Sequence, residues 1–154
     1  MEDRSIVYAD FTISRSLAAP VAKVFRAFAD KQAKEVWFKG PTDSSGSEHT
    51  MDFRVGGTEL NRGTFHDGIV HTFKAFYYEI IPEKRIIYTY EMYLGDKRIS
   101  VSLTTIELAS FGNGQQTQIT VHESGAFLDA LDKPENRQQG TQLLLIALET
   151  SVTK

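Results

Sequence analysis

The chain carries ten Phe, six Tyr, one Trp and four His but no Cys, and this inventory bounds its chemistry. Without cysteine there is no disulfide, thiolate metal site, iron–sulfur cluster or thiol nucleophile. Nitrogen ligands are confined to His49, His66, His71 and His122. His66 and His71 flank a turn and, with Asp67, have the composition of a two-histidine carboxylate site for zinc or iron. No recognised ligand spacing accompanies them, so they read first as solvated turn residues, and neither a metal nor a cofactor is implied. A nucleophilic serine lacks its Gly-x-Ser-x-Gly elbow. Gly56-Gly57 lacks the spacing of a phosphate loop and reads as a turn needing positive φ.

Carboxylates and phenols remain. Glu79 shares the apolar phase of its strand with Phe73, Ala75 and Tyr77, so it is expected to face the core. There it is either a paired structural group, with Arg54 as one partner, or a general base with a raised pKa. Glu91 falls on the polar phase and reads as solvated. Tyr77, Tyr88 and Tyr90 share the inward phase of adjacent strands. In a filled core their hydroxyls bond to backbone; in a cavity they face a ligand.

These residues need elements to position them. Val7, Ala9, Phe11 and Ile13 alternate with polar residues as a half-buried strand. Pro20 opens a helix whose stripe is Val21, Val24, Phe25 and Phe28. Asp30 caps a second short helix to about Phe38 that buries Ala33, Val36 and Trp37. Gly40-Pro41 and a polar loop over Thr42–Ser47 follow. Then come about six antiparallel strands. Met51, Phe53 and Val55 alternate before Gly56-Gly57, and a weakly patterned strand runs to about Phe65. His66-Asp67-Gly68 turns the chain into a strand over about 69–81 that buries Ile69, Phe73, Ala75, Tyr77 and Ile81. Ile86, Tyr88, Tyr90 and Met92 mark the next strand. The phase Ile99, Val101, Leu103 then shifts to Ile106 and Leu108, which predicts a bulge near Thr104-Thr105. Ile119 and Val121 carry the last strand. A final helix from Pro134 to about Val152 has an all-apolar turn at Leu143–Leu148, which predicts contacts on both sides. The economical packing is α+β: one curved antiparallel sheet with the long helix on its concave face.

Composition agrees with a single domain over residues 1–154. The chain is 41% hydrophobic, and Lys+Arg of 17 against Asp+Glu of 20 leaves net −3, which excludes nucleic-acid binding by bulk charge. The longest apolar run is too short to insert in a membrane. The Met1-Glu2-Asp3-Arg4 start has no signal-peptide pattern, so a cytoplasmic location is expected.

With this order of elements, four segments resemble a known family. They are Phe11–Arg15 with Ala19-Pro20-x-x-x-Val24-Phe25-x-Ala27-Phe28; Trp37-Phe38; Asp52-Phe53-Arg54-Val55-Gly56-Gly57; and Tyr77-x-Glu79-Ile80-Ile81-Pro82-x-x-Arg85-Ile86-Ile87-Tyr88-Thr89. Together they resemble the START-like (SRPBCC, Bet v-like) superfamily, in its branch named for the activator of the heat-shock-chaperone ATPase (AHSA-type). The resemblance implies a helix-grip fold from about Asp10 to Val152. In the last helix the branch usually has Arg followed by Gly-Trp. Here Arg137 and Gly140 remain, and Thr141 stands where the indole would be.

Fold alone does not assign function. The expectation is a cavity for an apolar or aromatic small molecule between sheet and final helix. Its lining would be Phe28, Trp37, Phe53, Val55, Tyr77, Tyr88, Tyr90, Leu103, Leu144 and Ala147. Two rivals stand beside it: a chaperone-binding interaction module, and a cyclase- or hydrolase-type enzyme with Glu79 or a tyrosine as acid–base. A homodimer through a sheet edge or the helix also fits the pattern.

Overall fold

Strand β1 (Ile6–Leu17) carries the alternation that begins the chain, and Phe11 and Leu17 reach the core from it. The computed structural model describes residues 2–39, 45–65 and 67–153. Pro20 stands at the N-cap of α1 (Val21–Ala29), which buries Val24, Ala27 and Phe28. Asp30 ends that helix and caps α2 (Lys31–Trp37), accepting hydrogen bonds from the N–H groups of Gln32 and Ala33. Trp37 is buried as expected. Val36 points outward and Ala33 is only half-buried, because the inward position belongs to Lys34, whose charge has a buried partner.

Six further strands complete the sheet: β2 (Ser45–Met51), β3 (Thr58–Thr64), β4 (Val70–Ile81), β5 (Arg85–Leu94), β6 (Lys97–Phe111) and β7 (Gln116–Leu128). Their order is β1-β7-β6-β5-β4-β3-β2, every neighbouring pair antiparallel, in an open curved sheet. Gly40-Pro41 and the first half of the expected polar loop lie outside the described residues, while Ser45–Ser47 belong to β2. Phe53 and Val55 are not strand residues: Asp52–Gly57 is a loop locked onto β4. Gly56 N–H donates to the Tyr77 carbonyl at 2.8 Å, and Tyr77 N–H to that of Gly57 at 3.0 Å. A Cβ on Gly57 would stand 2.0 Å from the Asp52 carbonyl oxygen, so this close turn admits only glycine there.

Two bulges set which side chains face inward. Tyr77 pairs with Tyr88 but Glu79 with Ile87, leaving Tyr78 as an extra residue in β4. The second extra residue is Ile99, between Arg98 and Ser100 of β6; the register is continuous at Thr104-Thr105, where the bulge was predicted. From Ile99 onward the inward row is therefore Ser100, Ser102, Thr104, Ile106 and Leu108, while Val101 and Leu103 face solvent. Ile69 and Ile81, at the ends of the β4 run, are also exposed.

Helix α3 (Pro134–Val152) starts with Pro134 and buries Leu145, Leu148 and Val152, each worth ~1.5–3 kcal/mol when fully enclosed. It packs most closely against β1, α1 and α2, and Glu149 accepts two hydrogen bonds from Arg15 of β1. Leu143 and Ile146 are 60% and 45% exposed, so the all-apolar turn is covered on one side and not on both. None of the described helices is long and apolar enough to cross a membrane.

Candidate functional site

The central strands meet α3 through side chains rather than through close backbone approach. A main core joins α1, α2, α3 and the β6–β7 rows. Beside it lies a smaller aromatic cluster of Phe73, Ala75 and Tyr90, against which Phe38, Tyr88 and Met92 pack half-buried. Ring centroids are 5.0 Å apart for Phe73–Tyr90 and Phe38–Phe73, and 6.0 Å for Tyr88–Tyr90, in tilted or edge-on geometry. Burial pushes the hydroxyl pKa values of Tyr77, Tyr88 and Tyr90 up, and the carboxylates nearby reinforce this, so all three phenols are neutral.

A buried ionic cluster flanks each end of this packed aromatic cluster. On the α2 side, Glu59 is fully buried and accepts hydrogen bonds from Lys34 Nζ at 2.7 Å and from the Tyr77 hydroxyl. His49 Nε2 lies 2.8 Å from its other oxygen, and His49 Nδ1 lies 2.8 Å from Glu35 of α2. Burial alone would raise the Glu59 pKa. The Lys34 charge and the three hydrogen-bond partners reverse that and bring it from 4.5 to about 2. On the α3 side, Arg137 donates to the Tyr90 hydroxyl (3.1 Å), Ser100 (2.9 Å) and Asp132 (3.1 Å). Its guanidinium also lies over the rings of Tyr90 and Phe127. Tyr90 and Thr104 both donate to Glu123, whose carboxylate is 3.9 Å from Arg137. Here burial prevails over these partners, and the Glu123 pKa is raised.

A sequence model of activator of Hsp90 ATPase homolog 1-like proteins matches residues 18–152. The chain belongs to that family. Its structure is similar to that of a Rhizobium leguminosarum protein (41% identity, 97% of each chain covered, TM-score 0.90). It is also similar to a Rhizobium loti protein at 38% identity, covering 96% of this chain and 99% of that one, with TM-score 0.87. A Chromobacterium violaceum protein shares 29% identity over 94% and 97% of the two chains, with TM-score 0.74. No curated protein matches.

In this family member the structure brings Phe28, Trp37, Phe53, Tyr77, Tyr88, Leu144 and Ala147 into or against the main core. Tyr90 lies in the aromatic cluster beside it. Val55 and Leu103 do not join them. Val55 is 57% exposed in the glycine-locked loop, and Leu103 is 48% exposed on the convex face because the Ile99 bulge reverses the phase of β6. Glu79 is displaced in the same way by Tyr78: it faces outward and pairs with Arg85 at 2.6 Å, while Arg54 pairs with Asp52. Among the metal candidates, His71 stacks on Phe65 and stands 3.5 Å from Asp67; His66 lies outside the described residues. Glu91, read as solvated, is instead partly buried and bonded to Tyr93 and Arg98.

The sequence reading missed Lys34, Glu59 and Glu123, and kept Arg137 only as a motif remnant. The available signal for Glu123 was its place on the inward phase of Ile119 and Val121 in β7, whereas Glu59 in β3 and Lys34 in α2 left none.

Two open depressions lie elsewhere. One of about 450 Å³ involves Ile81, Lys84, Glu107 and Gln118. The other, of about 320 Å³, runs between β1 and α3 past Ile13, Arg15 and Ile146.

Proposed function

We infer that the protein binds an apolar or aromatic small molecule in the chamber between α3 and strands β4–β5. The observation that carries this reading is the separate ring cluster of Phe73, Tyr88 and Tyr90, half-open at Phe38 and Met92 and ended by Arg137 and Glu123. Apolar walls with a few convergent polar groups suit a small organic guest. The rings already touch, so a guest has to part Phe38 and Leu144 from the sheet to enter. Titration with the neutral fluorophore N-phenyl-1-naphthylamine tests the reading. Saturable one-to-one binding, with NMR shifts at Phe38, Tyr88, Met92 and Leu144, is the expected result. Absence of binding, or shifts confined to Leu143 and Ile146, overturns it. The second of those outcomes favours the interaction-module reading, which rests on these two exposed residues beside the β1–α3 groove. An acid–base role for Glu79 has lost its basis, since that carboxylate is outside the chamber.

A further inference from the structure

His49 of β2 meets carboxylates at both ring nitrogens, Glu35 of α2 at Nδ1 and Glu59 of β3 at Nε2, each at 2.8 Å. A neutral imidazole has one N–H and donates to one of them; the imidazolium donates to both. The other charged and titratable groups around it are already engaged. Lys31 lies 2.9 Å from Glu35, and Lys34 of α2 and Tyr77 of β4 bind Glu59. Glu48, on the same strand as His49, pairs with Arg62 of β3 at 3.3 Å. The two carboxylates differ in their alternatives: Glu59 is fully buried, whereas Glu35 is 40% exposed and can be satisfied by water and Lys31.

We propose that His49 is a proton-operated latch: as imidazolium it ties α2 to the β2–β3 wing, and loss of one proton releases the Glu35 end. Glu59 keeps the remaining N–H, because no other donor among the described residues is bonded to that oxygen. Of these two ties, only the Lys34–Glu59 pair then holds α2 to β3, and the helix end at Trp37 and Phe38, which packs against the aromatic cluster, loosens. The hydrogen bond to Glu59, and then that to Glu35, hold the His49 pKa above its usual 6.5 against the effect of burial. The imidazolium is thus favoured by folding, and the latch stays closed at low pH. It opens as pH rises through the raised value.

Trp37 is the chain's one tryptophan and reports on α2 directly. Acrylamide quenching of its fluorescence is expected to rise about twofold in a step centred above pH 6.5, while ¹⁵N NMR shows both His49 nitrogens protonated at pH 6. His49→Gln, which like the neutral ring donates to one carboxylate at a time, removes the step and leaves the higher quenching at every pH. Glu35→Gln, a milder change at a half-exposed site, moves the midpoint down. His122→Gln, whose histidine pairs with Asp10 across the β1–β7 register, leaves the step in place. A bare His49 nitrogen at pH 6, a flat Trp37 profile, or a step that survives in His49→Gln overturns the latch.

Discussion

Glu59 and Glu123 are both buried, both hydrogen-bonded to a tyrosine and both near a cation, yet their pKa values move in opposite directions. The difference is distance, division and a second donor, since His49 also binds Glu59 at 2.8 Å. Lys34 sits 2.7 Å from Glu59 and, among the described residues, has that one carboxylate as its ion-pair partner, whereas Arg137 stands 3.9 Å from Glu123 and shares its charge with Asp132 at 3.1 Å. A short undivided pair repays desolvation; a longer shared one does not. The Glu59 carboxylate is therefore committed to its charge, and Glu123 can adjust by taking up a proton.

Deleting each cation separates the two cases most sharply. Lys34→Met strands Glu59 in the interior and is expected to lower stability by about 3–5 kcal/mol in urea unfolding at pH 7. Arg137→Met should lose less, about 1–3 kcal/mol, since Glu123 can protonate and Asp132 is partly solvated. Equal losses would break the comparison.

Acid unfolding sharpens it further. Folding depresses the Glu59 pKa from 4.5 to about 2. Its stabilisation is therefore complete above 4.5 and disappears as pH falls through about 2, an effect of roughly 3 kcal/mol. Glu123 works with the opposite sign: its raised pKa means that acidification through the native value relieves a penalty. Glu59→Gln should flatten the acid limb of a pH–stability curve, and Glu123→Gln should steepen it. The smallest effect is expected outside the core, where Glu79→Gln removes an exposed pair with Arg85 and shifts stability by less than about 0.5 kcal/mol. A larger loss would return Glu79 to the interior.

Local chemistry made most of the fold readable. The Asp30 cap, Pro134 at the start of the last helix, the glycine turns and the apolar phases of β1, β5 and β7 all act within a few residues of themselves. The errors arise where distant residues decide. Lys34 is buried because Glu59 lies across from it, 25 residues away in sequence. Ser100 and Thr104 face inward because Arg137 and Glu123 need partners there. A hydropathy pattern scores all of these as surface. Of the single inserted residues, Tyr78 leaves no mark in the pattern and Ile99 only a phase shift that points further along β6, yet each reverses a strand and moves Glu79 and Leu103 to the outside.

The pairing of β1 with β7 has a consequence for synthesis on the ribosome. Thr12 meets His122 across 110 residues, and Arg15 waits for Glu149 still later. β1 therefore emerges long before its partner exists, and its twelve residues remain an unpaired edge until β7 has been made. Connections this distant slow folding and leave nascent edges open to wrong pairings. The growing chain is thus most vulnerable at β1, and its safety depends on how quickly β7 follows.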